Sequence, residues 1–325
     1  MQAAWYERNG PADEVLVVGE MPTPEPGPGE VRVRLAWSGV NPSDVKSRAR
    51  RPLIAPRIVP HSDGSGVIDA VGAGVPAARL GQRVWTWNAQ WKRPMGTAAG
   101  FVTLPSEQAV DLPASVSLEA GACLGIPGLT AVQAVRLAAP QPGQTVLVTG
   151  AGNAVGHLVV QLARRLGARV IGTAGSDPRR ALALQSGAIE VVDYRQPEAV
   201  RQVLDLTGGA GVDLIIDMDF SGTAAWLPQG VLRPHGRVVC YGSNNPGEVT
   251  VDFRTLLFQS IACQFFVVYE LTPGDRAACI AELRARLEAG QLDIHTGSQW
   301  ALTDIAQAHR CVESGASLGT VLVAT

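Results

Sequence analysis

Residues 146–160 read Val-Leu-Val-Thr-Gly-Ala-Gly-Asn-Ala-Val-Gly-His-Leu-Val-Val, an apolar run, a glycine-rich turn and a second apolar run. A buried strand that enters a helix through such a turn presents unpaired N–H groups and the positive end of a helix dipole. That arrangement receives the pyrophosphate of a dinucleotide, and small residues are needed so that no side chain blocks it. The spacing departs from the usual G-x-G-x-x-G, because Gly150-x-Gly152-x-x-x-Gly156 carries one extra residue. Counted back from Gly156, the template glycines fall on Ala151 and Asn153. Alanine is small and asparagine tolerates positive φ. The same glycines would also serve an ordinary strand–helix connection; the surrounding pattern favours the dinucleotide.

That pattern is an alternation of short apolar strands and helical stretches. Strands are expected at 143–149, 168–173, 191–193, 212–217 and 236–241, with helices at 154–166 and 276–287 and a last strand at 319–323. Alternating β and α with apolar strands predicts a parallel, doubly wound sheet. The first 120 residues follow another grammar. Strand patterns at 15–18, 30–37, 65–71 and 82–87 are short and divided by turn chemistry, and the proline-rich stretch at 22–29 excludes helix and inner strand. A compact β barrel-like module is predicted there.

Composition narrows the class. A hydrophobic share of 46% excludes a disordered chain, and 27 basic against 29 acidic residues leave no basic face for nucleic acid. Five scattered cysteines without a C-x-x-C pair read as reduced and buried. The first residues hold no signal core and no apolar run approaches 18 residues, so a soluble, cytoplasmic protein with no membrane partner is expected.

The end of the second parallel strand selects the cofactor. An NAD site places an acidic residue there for the ribose hydroxyls. Here residues 173–180 read Thr-Ala-Gly-Ser-Asp-Pro-Arg-Arg; the strand end is not acidic, and Ser176 with Arg179 or Arg180 suits a 2′-phosphate. Asp177 argues mildly for NAD; NADPH is the expectation.

Together these segments resemble the zinc-free quinone oxidoreductase branch of the medium-chain dehydrogenase/reductase superfamily, the group that includes zeta-crystallin. The resemblance spans essentially the whole chain. It rests on 24–31, 38–44 (Ser-Gly-Val-Asn-Pro-Ser-Asp), 62–72, 81–84, 124–131 (Leu-Gly-Ile-Pro-Gly-Leu-Thr-Ala), the turn at 150–156, 171–175 and 206–209, in family order. It implies an α/β protein: a GroES-like β-barrel catalytic domain (1–122 and 292–325) and a Rossmann domain (123–291), with a homodimer formed through a strand at 263–269.

The resemblance also implies site residues. Asn41 would sit beside the nicotinamide, or else cap the turn that follows it, and Thr130 would contact the nicotinamide ring or carboxamide. Asp44 joins them in the catalytic set as a group that orients a helix start rather than moving a proton. Gly150, Gly152, Asn153, Ala154, Val155 and Gly156 would hold the pyrophosphate. Thr173, Ser176, Arg179 and Tyr194 would lie at the adenosine ribose, and Gly242 and Ser243 along the nicotinamide half. Zinc relatives use a cysteine where Asn41 stands and a His-Glu pair where Ser62 and Asp63 stand, so no metal is expected. His61 is read as a cleft or packing histidine.

The chain departs from its relatives around the substrate. Lys46, Arg48, Arg50 and Arg51 replace tyrosines and are read as solvated surface, with an anion-admitting mouth as the alternative. Trp85 and Trp87 would floor a flat-ring pocket or fill the core; Lys46, Trp87 and Trp91 are the substrate candidates. Thr320 stands where relatives carry a lysine. These features imply an NADPH-dependent reductase of quinones or activated enones. The alternatives are a 2-enoyl-thioester reductase, which would want a proton-donating tyrosine after Asn41, and a non-catalytic, crystallin-like NADPH-binding protein.

Overall fold

The computed structural model describes residues 1–245 and 247–325 and divides into two compact units, Met1–Pro127 with Arg284–Thr325, and Gly128–Leu283. The sequence reading put these boundaries at 122/123 and 291/292. The first falls later because Ala122 and Cys123 pack against Leu322 in the first unit. The second falls within the Pro273–Glu288 helix.

In the first unit, β1 (Gln2–Trp5) and β2 (Val17–Glu20) form an antiparallel pair. The main sheet comprises β3 (Glu30–Val40), β4 (Asp63–Val71), β5 (Arg83–Thr86), β6 (Phe101–Pro105) and β7 (Ala109–Asp111). β3 is long enough to pair with β4 along one edge and with two strands on the other, β6 being one of them. Its alternation puts Val31, Val33 and Leu35 into a core with Ile68, Val84, Val102 and Leu104. Residues 22–28 form neither helix nor strand, as their prolines require. The strand expected at 15–18 begins only at Val17, because a helical turn, Ala12–Val15, follows Pro11.

The second unit holds six parallel strands: β8 (Thr145–Val148), β9 (Arg169–Thr173), β10 (Glu190–Val192), β11 (Val212–Asp217), β12 (Leu232–Cys240) and β13 (Ala262–Phe265). Their order is β10-β9-β8-β11-β12-β13, the 3-2-1-4-5-6 order of a dinucleotide-binding sheet. β8 and β11 are buried along their whole length, which explains their apolar character. Helices Gly156–Arg165, Asp177–Gln185 and Ala199–Leu206 make the crossovers. β13 is shorter than the strand expected at 263–269, since a 3-10 turn at Val268–Glu270 ends it.

The chain then returns to the first unit through β14 (Thr296–Ala301), the Ile305–Glu313 helix and β15 (Thr320–Ala324); β15 is the second strand on the far edge of β3. Among the described residues no helix is long and apolar enough to cross a membrane.

Candidate functional site

In the second unit the chain runs out from β8 to β9 and β10 and then crosses back to β11, so the strand order reverses between β8 and β11. Ligands of open α/β sheets bind outside the C-terminal strand ends at such a reversal. Side chains tie the two strands there: the Thr149 hydroxyl donates to Asp217 Oδ1 at 2.7 Å and accepts from the Met218 N–H at 2.8 Å. Asp217 is fully buried, and burial raises its pKa.

The glycine turn leaves β8 at this point. Gly150 has φ +63°, and a Cβ there would meet Met218 Sδ at 2.2 Å. A Cβ on Gly156 would lie 2.1 Å from the Gly150 carbonyl oxygen, and one on Gly152 would lie 2.0 Å from the Arg179 carbonyl oxygen. The turn is closed by the Asn153 N–H donating to Gly150 O and by the Gly150 N–H donating to Thr173 Oγ1. Asn153 also donates from Nδ2 to Met218 Sδ. The N–H groups of Ala154 and Val155, just before the Gly156–Arg165 helix, donate to no described residue. A phosphate at a helix start needs such donors.

The candidate ribose residues gather at the ends of β9 and β10. Thr173 closes β9, Ser176 precedes the Asp177–Gln185 helix, and Arg179 lies in its first turn against Gly152. Tyr194 packs on Gly175, where a Cβ would sit 3.0 Å from its ring. Arg180 instead reaches Glu190 at 2.8 Å. Gly242 and Ser243 follow β12 beside the loop after β11; the Gly242 carbonyl accepts from the Phe220 N–H, and Ser243 Oγ from the Ser221 N–H. Thr130 is buried near the start of the Leu129–Ala138 helix.

In the first unit Asn41 precedes the Pro42–Arg50 helix. Its backbone N–H donates to Asp44 Oδ2 and its Nδ2 to Asp63 Oδ2, both at 2.8 Å. Asp63 also accepts the Ile126 N–H at 2.9 Å. Gly125 makes this possible, because a Cβ there would lie 2.1 Å from Asp63 Oδ1. Burial pushes the Asp44 carboxyl up to about 7, against the pull of hydrogen bonds from Asn41 and Ser62 and the charge of Arg51. Burial likewise raises Asp63 well above the carboxylate range.

Comparison with known proteins follows this division. The model of the alcohol dehydrogenase GroES-like domain matches residues 27–114, and that of the zinc-binding dehydrogenase matches 154–285. Human quinone oxidoreductase is 30% identical over 95% of this chain and 93% of its own length. The chain belongs to the medium-chain dehydrogenase/reductase superfamily, in its zinc-free quinone oxidoreductase branch. Among solved members of the superfamily, an NAD-dependent alcohol dehydrogenase superposes with a TM-score of 0.89 at 31% identity, over the whole of both chains. A mycobacterial protein complexed with NADPH gives 0.88 at 29%, also over both whole chains.

The residues present do not suit the zinc of other superfamily members. Asn41 offers an amide already engaged with Asp63, and His61 directs Nδ1 to Ser38 Oγ and Nε2 to His309 Nε2, both at 2.8 Å. His61 is fully buried, a packing residue rather than one of a cleft.

The other substrate-side expectations divide. Arg48, read as solvated surface, is 1% exposed and ion-paired with Glu313. Trp85 fills the core. β5 ends at Thr86, so Trp87 does not continue its face; its indole Nε1 donates to the Glu107 carbonyl at 3.3 Å. Lys46 is exposed on the outer side of its helix. Trp91 lines a cavity, with Tyr6 and Arg51, which sequence reasoning did not connect to it.

Proposed function

We propose that this chain is an NADPH-dependent reductase of quinones or activated enones, acting by hydride transfer without a metal. The observation that carries the reading is the pair of unspent N–H groups on Ala154 and Val155 at the reversal of the parallel sheet. Glycines at 150, 152 and 156, where any Cβ would collide with backbone or Met218, keep that approach clear for a pyrophosphate. Arg179 and Ser176 are assigned to the 2′-phosphate, with Tyr194 against the adenosine. Gly242, Ser243 and Thr130 are assigned to the nicotinamide half. The NADPH bound by the mycobacterial neighbour supports this choice, and NADH, suggested by the NAD-dependent neighbour, is the competitor.

Bound NADPH supplies a hydride from C4 of its nicotinamide. The protein's part is orientation and exclusion of water. Asn41 is assigned beside the nicotinamide, held between Asp44 and Asp63. Asp44 positions Asn41 rather than transferring a proton. A quinone or enone spreads the charge that develops on its oxygen, so it needs little help from a Lewis acid. A homodimer through β13 completes the reading: that strand is one of the two edges of the parallel sheet among the described residues, Phe265 on it is exposed, and so is Val267 just past its end.

The test follows the nicotinamide absorbance of NADPH mixed with the protein and 1,4-benzoquinone or 9,10-phenanthrenequinone. Loss of absorbance above the uncatalysed rate is expected. Tight NADPH binding without turnover across a panel of quinones and enones would favour the crystallin-like alternative.

A further inference from the structure

Within the first unit, a cavity of about 220 Å³ opens where the C-terminal end of the Pro42–Arg50 helix meets the segment at 52–58 and the turn at 90–92. Its lining combines cations, hydroxyls and apolar surface: Arg51 and Lys92, Tyr6 and Ser47, Ile54 and Trp91. The Arg51 guanidinium lies over the Trp91 indole, 4.6 Å from its centroid, and the Lys92 ammonium approaches the same ring at 5.6 Å. Among the described residues no carboxylate forms an ion pair with Arg51. A guanidinium held against an aromatic face keeps the N–H groups in its own plane available, a fork that matches a carboxylate.

Two hydroxyls add to the cation pair. Tyr6 is 4% exposed, yet its hydroxyl makes no hydrogen bond to any described residue, and neither does that of Ser47. Burial pushes the Tyr6 phenol up to about 12, so it remains a donor at any ordinary pH. A hydroxyl that lines the cavity and has no acceptor within the protein can donate to an incoming oxygen. Asp44, two turns before Arg51 on the same helix face, is hydrogen-bonded to the Asn41 N–H. Ile54, also in the lining, is 56% exposed and offers apolar surface to a hydrocarbon skeleton. The volume lies below the roughly 300–1,000 Å³ of drug-sized ligand sites, which limits the ligand to a small molecule.

We propose that this cavity binds the carboxylate of a small, flat, conjugated acid, with Arg51 and Lys92 facing the anion and Tyr6 and Ser47 donating to it. That this ligand is the enzyme's own substrate rests on the reductase reading above; the binding itself does not. The reductase would then prefer acidic enones or quinones over their neutral counterparts.

The test uses 3-benzoylacrylate, a flat activated enone, and its neutral methyl ester. Titration calorimetry on protein loaded with NADP⁺ is expected to show the acid binding at least tenfold more tightly than the ester. Arg51→Gln should bring the two within twofold of each other, and Lys92→Gln should narrow the gap. With NADPH, the acid-to-ester ratio of kcat/KM should change in parallel. A wild-type ratio near one, or a ratio untouched by both substitutions, overturns the proposal. Arg51-dependent binding of the acid with neither compound reduced supports the cavity and overturns the reductase reading. Reduction of the ester without any preference for the acid does the reverse.

Discussion

His309 donates its Nε2–H to Nε2 of His61 across 2.8 Å, and the direction is set three hydrogen bonds further on. The Thr97 hydroxyl donates to the carbonyl oxygen of Asp63 at 2.6 Å, an atom that only accepts. Ser38 must then donate to Thr97 across 2.7 Å, which leaves its oxygen to accept from His61 Nδ1–H at 2.8 Å. A neutral His61 therefore has a bare Nε2, and His309 fills it. Burial holds both rings neutral, His61 down at about 3 and His309 well below its ordinary value, with the Arg48 charge, and the repulsion two protonated rings would feel, acting on His309 in the same direction.

This arrangement gives a pH dependence with a definite sign. Below about 6.5 the unfolded histidines take up protons that the folded ones refuse, so stability falls as pH drops, by about 2 kcal/mol at pH 5 for His61 and in the same direction for His309. Asp44, with its pKa raised to about 7, acts in the opposite sense: stability falls as pH rises from about 4 to about 7. The two are separated by difference. Urea unfolding of wild type and of His309→Gln from pH 5 to pH 8 should show a shallower acid loss in the variant; parallel profiles would contradict it.

At the ribose end, Arg180 is committed to Glu190, whereas Arg179 stands against Gly152. Arg179→Ala should weaken NADPH binding about tenfold and NADH binding less than twofold. Arg180→Ala should leave the ratio of the two affinities within twofold. Equal losses for both cofactors in Arg179→Ala would remove the 2′-phosphate assignment.

The Gly125 seat is testable by volume alone. A Cβ 2.1 Å from Asp63 Oδ1 cannot be accommodated without moving a buried carboxyl, so Gly125→Ala should cost about 1–3 kcal/mol in urea unfolding. Gly274→Ala is the matched control, because nothing lies within 4 Å of its Cβ and it sits in a helix. It should be neutral or stabilising.

The edge at β13 makes the assembly prediction. Phe265 is 57% exposed on a strand that, among the described residues, is bonded to β12 alone. Sedimentation velocity of wild type should give a dimer and that of Phe265→Asp a monomer. A wild-type monomer at micromolar concentration would end the proposal.

The features legible in the sequence were local ones. The turn at 150–156 needs only its own glycines and the helix that follows, and the alternation of strands and helices gives the sheet that carries it. What escaped was long-range. Arg48 looked like solvated surface because its partner, Glu313, is 265 residues away. The cavity draws on Tyr6, on Ser47 and Arg51, and on a turn at 90–92 where Lys92 has φ +58°, a conformation that no pattern of residue types announces. Trp87 was misplaced by one residue of strand length, which ends the alternation at Thr86.

The seat of β15 against β3 has a consequence for the order in which the chain acquires structure. β3 carries β15 along residues 37–40, and β15 in turn carries β14. During synthesis residues 128–283 emerge as one uninterrupted stretch and close their own sheet, whereas the far half of β3 waits for a strand some 280 residues downstream. Until β15 arrives, Val40 and its neighbours form an unpaired edge in the nascent chain. The parallel sheet is thus the earlier structure to mature, and the unit that begins the chain is the last to be finished.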